Sequence, residues 1–297
     1  MTRSHPSTPA ADVDVDAALV RRLLVAQHPD LADLPIQPFN AGWDNAMFRL
    51  GTELAVRLPR RSVAAPLLAH EQRWLPALST RLPIAIGAPV RIGRPGEGYP
   101  WHWSVVPWIR GTAADVTPPD DDQAEALALF LHCLHIEPPP DAPRSRVRGV
   151  PLAHRAAVVE DRLRRLESRT SIVTGSVWKA WRHALEAPWE GDATWIHGDL
   201  HARNVLVDDG SISGVIDWGD IASGDKATDL AAIWMLLPGA ASRRRAMEAY
   251  PDGSEKLWAR ARGWAVSFGA LLLDTGLEDH PRHARMGEAT LRRVVEE

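Results

Sequence analysis

A chain of 297 residues is long enough for one large domain or two lobes. Its 45% hydrophobic and 24% charged residues are ordinary for a globular protein, and a net charge of −4 argues against a general nucleic-acid binder. The one cysteine, Cys133, rules out an intrachain disulfide or a thiolate metal cluster, and its apolar helical setting reads as a packed, inert thiol.

Residues 1–11 carry Ser, Thr, Pro and Ala without periodicity and are expected to be disordered. They lack an apolar leader, and no later apolar run reaches the length of a membrane span. A cytoplasmic protein with no membrane partner is therefore expected. Val15 to Gln27 places Leu19, Leu23 and Leu24 at helical spacing behind possible Asp caps. Short strand-like runs follow at 36–39, 46–50 and 53–58, the last two joined by a turn at Gly51-Thr52. Pro66 to Leu82 reads as an amphipathic helix carrying Leu67, Leu68, Glu71, Leu75 and Leu78, and two more strands are expected near 89–92 and 103–109. Residues 111–119 read as a linker. Beyond Asp120 the pattern is helical at 121–136, 152–168, 175–187, 227–237, 240–250, 255–273 and 282–296. A Pro-rich connection covers 138–149, and a hairpin is expected around 205–216. The charge is uneven. Residues 1–110 hold 12 Arg against 9 Asp or Glu, a net of +3, and residues 111–297 hold 22 Lys or Arg against 29 Asp or Glu, a net of −7. A positive first part suits polyphosphate, and an acidic second part suits a cationic ligand.

The most informative stretch is Trp195-Ile-His-Gly-Asp-Leu-His-Ala-Arg-Asn-Val-Leu-Val, followed by Val215-Ile-Asp-Trp-Gly-Asp. Asp199 stands five residues before Asn204, and Asp217 thirteen residues after it. Val205-Leu-Val and Ile212-Ser-Gly-Val-Ile form strands around Asp208-Asp-Gly-Ser, so a hairpin brings Asn204 and Asp217 to one edge. Phosphoryl transfer from a nucleotide uses such a set: a carboxylate to orient and deprotonate the attacking hydroxyl, and an Asn and an Asp to hold Mg²⁺ on the phosphates. Asp199 is the expected base, and Asn204 and Asp217 the expected metal ligands. In the first part Arg57 lies on a strand ahead of the helix bearing Glu71, the order in which kinases carry a phosphate-binding cation and its ion-pair partner. Arg is fixed in charge and forks onto two oxygens, so it can replace the usual Lys. The alternative for Arg57 is a surface strand residue beside Arg60 and Arg61. Gly42 permits a loop over the phosphates, with Asn45 within reach of them. Residues 105–109, with Val106 and Trp108, are the candidate hinge whose backbone reads the purine. His132-Cys-Leu-His135 tempts a zinc reading, but two donors on an apolar helix make no structural site.

The joint pattern HGDLHARNVLV, VIDWGD and Gly224-Asp-Lys-Ala-Thr-Asp-Leu-Ala resembles the aminoglycoside phosphotransferase family of small-molecule kinases, relatives of the protein kinases. The resemblance implies an α+β, bilobal protein-kinase-like fold with a nucleotide-binding N-lobe over 1–110 and a catalytic, acceptor-binding C-lobe over 111–297. It implies ATP or GTP and Mg²⁺ as cofactors. The implied acceptor is the hydroxyl of a small, cationic molecule, led by an aminoglycoside-type antibiotic. Macrolides, homoserine and choline-like alcohols are rivals, and a nucleotide-binding pseudokinase is the non-enzymatic alternative. It further implies that His197 supports the catalytic loop by hydrogen bonds and that Asp229 braces it. Lys226 departs from the family, which often has Pro there. Asp220 and the cluster Asp274, Glu278 and Asp279 are the candidates to line an acidic acceptor pocket. A monomer or weak dimer without a nucleic-acid partner is expected.

Overall fold

The computed structural model describes residues 10–41 and 44–296. The chain divides into two compact units, Met1–Arg110 with Val215–Gly219, and Gly111–Gly214 with Asp220–Glu297. Of the stretch expected to be disordered, residues 1–9 lie outside the described residues. Just past it, the Asp12 carboxylate accepts from the Ser62 N–H at 2.8 Å.

The first unit begins with α1 (Ala17–Gln27), which starts where the Asp16 side chain accepts from the Leu19 N–H at 2.7 Å. Then come β1 (Ile36–Ala41), β2 (Asn45–Leu50), β3 (Leu54–Pro59), α2 (Ala65–Ser79), β4 (Ala85–Ile86), β5 (Arg91–Gly93) and β6 (Trp103–Pro107). Five strands form an antiparallel sheet in the order β1-β2-β3-β6-β5. Leu19, Val20, Leu23 and Leu24 of α1 join Phe48, Leu50, Val56, Leu58 and Trp103 in one buried cluster. Each such side chain, fully buried, contributes roughly 1.5–3 kcal/mol of hydrophobic stabilisation before its entropy cost. Helix α2 is tied to the sheet by Gln72, whose amide donates to the Trp103 carbonyl and the Ser104 hydroxyl at 2.9 Å each.

The second unit is mostly helical. It holds β7 (Thr112–Ala113), α3 (Ala124–Leu134), α4 (Ala156–Arg169), α5 (Gly175–Leu185), β8 (Thr194–Ile196), β9 (Val205–Asp208), all but the last residue of β10 (Ser211–Val215), β11 (Ala222–Gly224), α6 (Ala227–Leu230), α7 (Ala232–Leu236), α8 (Ala240–Ala249), α9 (Glu255–Asp279) and α10 (Pro281–Arg293). Asp209 and Gly210 both have positive φ, so the β9–β10 connection is the two-residue turn that an Asp-Gly pair favours. Helix α9 runs six residues past the expected end. Gly276 breaks nothing: a Cβ there would lie 2.1 Å from the Ala284 nitrogen, so the missing side chain is what lets α10 fold back against α9. Two expectations fail for a common reason. Residues 112–113 pair with β9 although the stretch read as linker, and β8 pairs with β11 where only helices and one hairpin were expected. Ladders of two or three residues are too short for an alternating pattern to show.

Among the described residues no helix is long and apolar enough to cross a membrane. Cys133 is half-buried and free. His132 is exposed, while His135 meets the Tyr250 hydroxyl at 2.8 Å, and no described cluster of His, Cys, Asp or Glu can hold a metal ion.

Behind β11, Arg260 of α9 donates from Nε to the Asp225 carboxylate at 2.7 Å and from Nη2 at 3.3 Å, both side chains deeply buried. Breaking a buried pair leaves an uncompensated charge. Asp225→Ala is therefore expected to destabilise the protein by about 3–5 kcal/mol, read as a lower urea midpoint, whereas a shift below about 1 kcal/mol would show the pair to be dispensable.

Candidate active site

In the first unit, β3 carries Arg57 and α2 carries Glu71. Arg57 Nη1 reaches both Glu71 oxygens, at 2.8 and 2.7 Å, and Nη2 reaches Asp217 Oδ1 at 3.0 Å. With its amide oxygen turned to the guanidinium, Asn45 on neighbouring β2 accepts from Nε at 3.3 Å and Nη2 at 3.1 Å. Arg57, Glu71, Asn45 and Asp217 thus form one polar group, and Arg57 is not a solvated strand residue: its side chain is 14% exposed. Burial pushes the Glu71 carboxyl up to about 7, against the opposing pull of Arg57. The paired carboxylates keep Arg57 charged despite its own burial. Asp217 has φ +62°, a left-handed backbone that costs a non-glycine residue on the order of 1 kcal/mol and clusters at functional sites. Its carboxylate is 60% exposed. Gly42 lies outside the described residues. Val106 is buried on β6 opposite Ala55, and the Trp108 N–H donates to the Glu53 carbonyl at 2.8 Å. That donor is used inside the unit, which removes it from the expected purine-reading set.

In the second unit, β8 leads into the loop His197–Asn204 and out through β9. Asp229, at the start of α6 and fully buried, accepts the His197 N–H at 2.6 Å and the Gly198 N–H at 2.9 Å. Gly198 has φ +84°, and a Cβ there would lie 2.7 Å from the Asp220 carbonyl oxygen. Only glycine fits both the angle and the space. His197 Nδ1 accepts the Asp199 N–H at 3.2 Å, so His197 props the loop from within. Asn204 turns its Nδ2 to the Asp199 carbonyl oxygen at 2.9 Å, which leaves its amide oxygen as the remaining donor atom for a ligand.

The Asp199 carboxylate is ringed by basic groups. Arg148 donates to Oδ1 at 2.8 Å, and His201 Nε2 stands 3.4 Å from Oδ2. Burial alone would raise this carboxyl, but His201, Arg148, His197 and His283 hold it below the usual carboxylate range. It is ionised throughout the neutral range. His283, at the start of α10, stacks on His280 and meets Arg203 Nη1 at 2.6 Å. Burial and these cations push its imidazole down to about 4, so it is neutral near pH 7. Arg148 escaped the sequence reading because it closes the Pro-rich connection. Its one signal was the Arg-rich run Arg144-Ser-Arg-Val-Arg-Gly.

The expected acidic lining is different in fact. Asp274 is buried and meets Arg165 at 2.6 Å, Arg169 at 3.6 Å and Arg162 at 3.8 Å, while Glu278 and Asp279 are exposed at the end of α9. Asp220 stands 4.0 Å from Arg148 Nε.

A profile of the APH phosphotransferase enzyme family matches residues 35–264. The chain belongs to this family. It is a small-molecule phosphotransferase with a kinase-like α+β fold. It is similar to the thiamine kinase of Shigella boydii serotype 4 (strain Sb227), at 28% identity over 239 residues and 77% of each chain. It is also similar to an aminoglycoside 3'-phosphotransferase of Escherichia coli, at 31% identity over 117 residues, 38% of this chain and 42% of that one. The solved GDP complex of aminoglycoside 2'-phosphotransferase-IIIa superposes with a TM-score of 0.66 at 18% identity, covering 94% of this chain and 99% of that one. At that identity the likeness is one of fold.

The Glu71 carboxyl gives this phosphotransferase a pH signature. Its folded value of about 7 exceeds its ordinary value of 4.5, so the folded state holds a proton that the unfolded state releases. The associated stability is fully present below the unfolded value and is lost as pH rises through about 7. In Glu71→Gln this decline is expected to vanish, leaving a stability difference from the parent that varies with pH by at most about 1.4 kcal/mol per unit. Parallel urea melts from pH 4.5 to 7.5 check it, and two parallel curves would disprove it.

Proposed function

We propose that this phosphotransferase is a Mg²⁺-dependent kinase that moves the γ-phosphate of ATP or GTP to a hydroxyl of a small molecule. The observation that carries the reading is Asp199: a carboxylate kept ionised by its basic neighbours, on a loop fixed by Asp229, with Asn204 turned toward it. In the reaction the acceptor oxygen forms a bond to the γ-phosphorus as the bridging P–O bond to the leaving diphosphate breaks. The hydroxyl proton passes to Asp199. With so weak a base, most of the catalytic effect comes from orienting the hydroxyl. Arg57, held by Glu71 and Asn45, is the proposed phosphate-binding cation.

The donor chemistry fits Mg²⁺. Asn204 and Asp217 offer an amide oxygen and a carboxylate, the hard oxygen ligands this ion takes. When bound, the ion neutralises charge on the phosphates. Asn204 and Asp217 would hold the ion, and waters and nucleotide phosphate oxygens would fill the rest of its shell.

Two acceptor readings compete. An aminoglycoside-type antibiotic is supported by the 31% identity to an aminoglycoside 3'-phosphotransferase and by the net −7 of residues 111–297. A hydroxyl compound without many positive charges, such as a metabolic alcohol, is favoured by the guanidinium standing on Asp199 and by the neutralised Asp274. Nucleotide consumption against aminoglycosides, macrolides and metabolic alcohols separates the two.

Asp199→Asn is expected to lower kcat by about 10²–10⁴ with nucleotide affinity unchanged. Near-parental kcat in this variant would rule Asp199 out as the base. Asp217→Ala is expected to make nucleotide affinity insensitive to Mg²⁺, since it removes the carboxylate proposed to join metal and phosphate. Titration of Mg²⁺ against nucleotide Kd reads this out, and an unchanged metal dependence would exclude Asp217 as a ligand.

A further inference from the structure

The base sits at one end of an arginine series in which both ends meet carboxylates, Asp199 at the near end and Asp274 at the far end, and only the member between them does not. Arg148 touches Asp199 at 2.8 Å and lies 4.6 Å over the Phe268 ring. Its place is built into the backbone. The Arg148 N–H donates to the Ser145 hydroxyl at 3.0 Å, and the next residue, Gly149, donates to the Thr228 hydroxyl at 3.1 Å and accepts from the Asp225 N–H at 2.9 Å. A Cβ at Gly149, whose φ is +62°, would come within 2.8 Å of the Gly224 Cα, so this crossing admits only glycine.

Seven residues on, Arg155 precedes α4, and Arg162 and Arg169 follow at further intervals of seven. That spacing puts all three on one stripe of the helix. Arg162 and Arg169, with Arg165, share the buried Asp274. Arg155 has no carboxylate among the described residues, and its Nε is buried without an acceptor. Burial and the neighbouring Arg148 and Arg162 all work against its charge. A guanidinium nevertheless stays protonated in proteins. The half-buried Arg155 therefore keeps a charge that no described carboxylate pairs and a buried Nε without an acceptor, within the electrostatic reach of Arg148, the group that touches the base.

We infer that the acceptor carries an oxyanion, a carboxylate or a phosphate, near the hydroxyl it presents to Asp199, and that Arg155 with Arg148 receives it. The planar fork of a guanidinium matches either oxyanion through two parallel hydrogen bonds. This inference rests on the kinase reading and decides between its two acceptor classes. Arg155 is a specificity residue that acts on acceptor binding and not on the transfer itself.

The test uses the full chain with Mg²⁺ and ATP and a matched series: glycerate, glycerol 3-phosphate, glycerol and kanamycin. Acceptor-dependent ADP release and direct binding are both measured. Tighter binding or turnover is expected for glycerate or glycerol 3-phosphate over glycerol, and whichever leads names the oxyanion. Arg155→Ala is expected to weaken the preferred anion by about 10- to 100-fold in KM or Kd. ATP KM, kcat at saturating acceptor and the circular-dichroism spectrum should stay within twofold, and Arg155→Lys should restore part of the loss. A preference for kanamycin overturns the inference, as does any series in which parent and Arg155→Ala bind the anions equally. In either case the kinase reading stands if turnover is lost in Asp199→Asn. Near-parental kcat in Asp199→Asn removes Asp199 as the base, and with it the inference, which places the oxyanion beside that base.

Discussion

The loop that carries Asp199 depends on one buried carboxylate. Asp229 is fully enclosed and accepts two successive backbone N–H groups, of His197 and Gly198, at 2.6 and 2.9 Å. A carboxylate buried without donors would cost several kcal/mol, and one that receives charge-assisted bonds from a loop backbone holds that loop in a single shape. The shape is otherwise unfavourable, since it needs a positive φ at Gly198 and a close pass over Asp220. Asp199 follows directly, so its direction is inherited from Asp229. His135, which caps the end of α3, stands 3.6 Å from the same carboxylate, and burial keeps its imidazole neutral by lowering its pKa. The buried charge thus links α3, α6 and the loop.

Arginine organises the second unit. Buried or half-buried carboxylates meet guanidinium groups: Asp225 with Arg260, Asp274 with three arginines, Asp115 with Arg282. A planar, permanently charged donor suits this, because it satisfies several lone pairs at once and does not shed its proton when buried. The net negative charge of this region is consequently a poor guide to the charge its site presents. What matters is which arginine is left over, and the geometry leaves Arg155.

The first unit uses the same principle with opposite balance. One guanidinium, Arg57, serves Glu71, Asp217 and Asn45 together. A lysine has the charge but not the number of fixed donors to do this. The arrangement explains how an Arg can hold the position where kinases usually carry Lys, and why Glu71 tolerates deep burial at all.

The sequence by itself determined the helices with strong apolar periodicity, the Asp-Gly hairpin, the motif carrying Asp199, Asn204 and Asp217, and the pairing of Arg57 with Glu71. Each is written in local spacing or in a pattern whose chemistry needs those residue types together. Tertiary structure alone decided the rest. The ladders at 112–113, 194–196 and 222–224 are too short to have a period. The helix expected over 255–273 continues to Asp279, and the room that Gly276 leaves for α10 shows only in the packed chain. Asp274 reads as a candidate to line an acidic acceptor pocket, yet three arginines from α4, more than a hundred residues away, enclose it. Arg148 carries no motif, and its contact with Asp199 comes from where the backbone at Gly149 is pinned. Charge along a chain is a local property, but which charges cancel is set by contacts distant in sequence, and only the folded chain contains them.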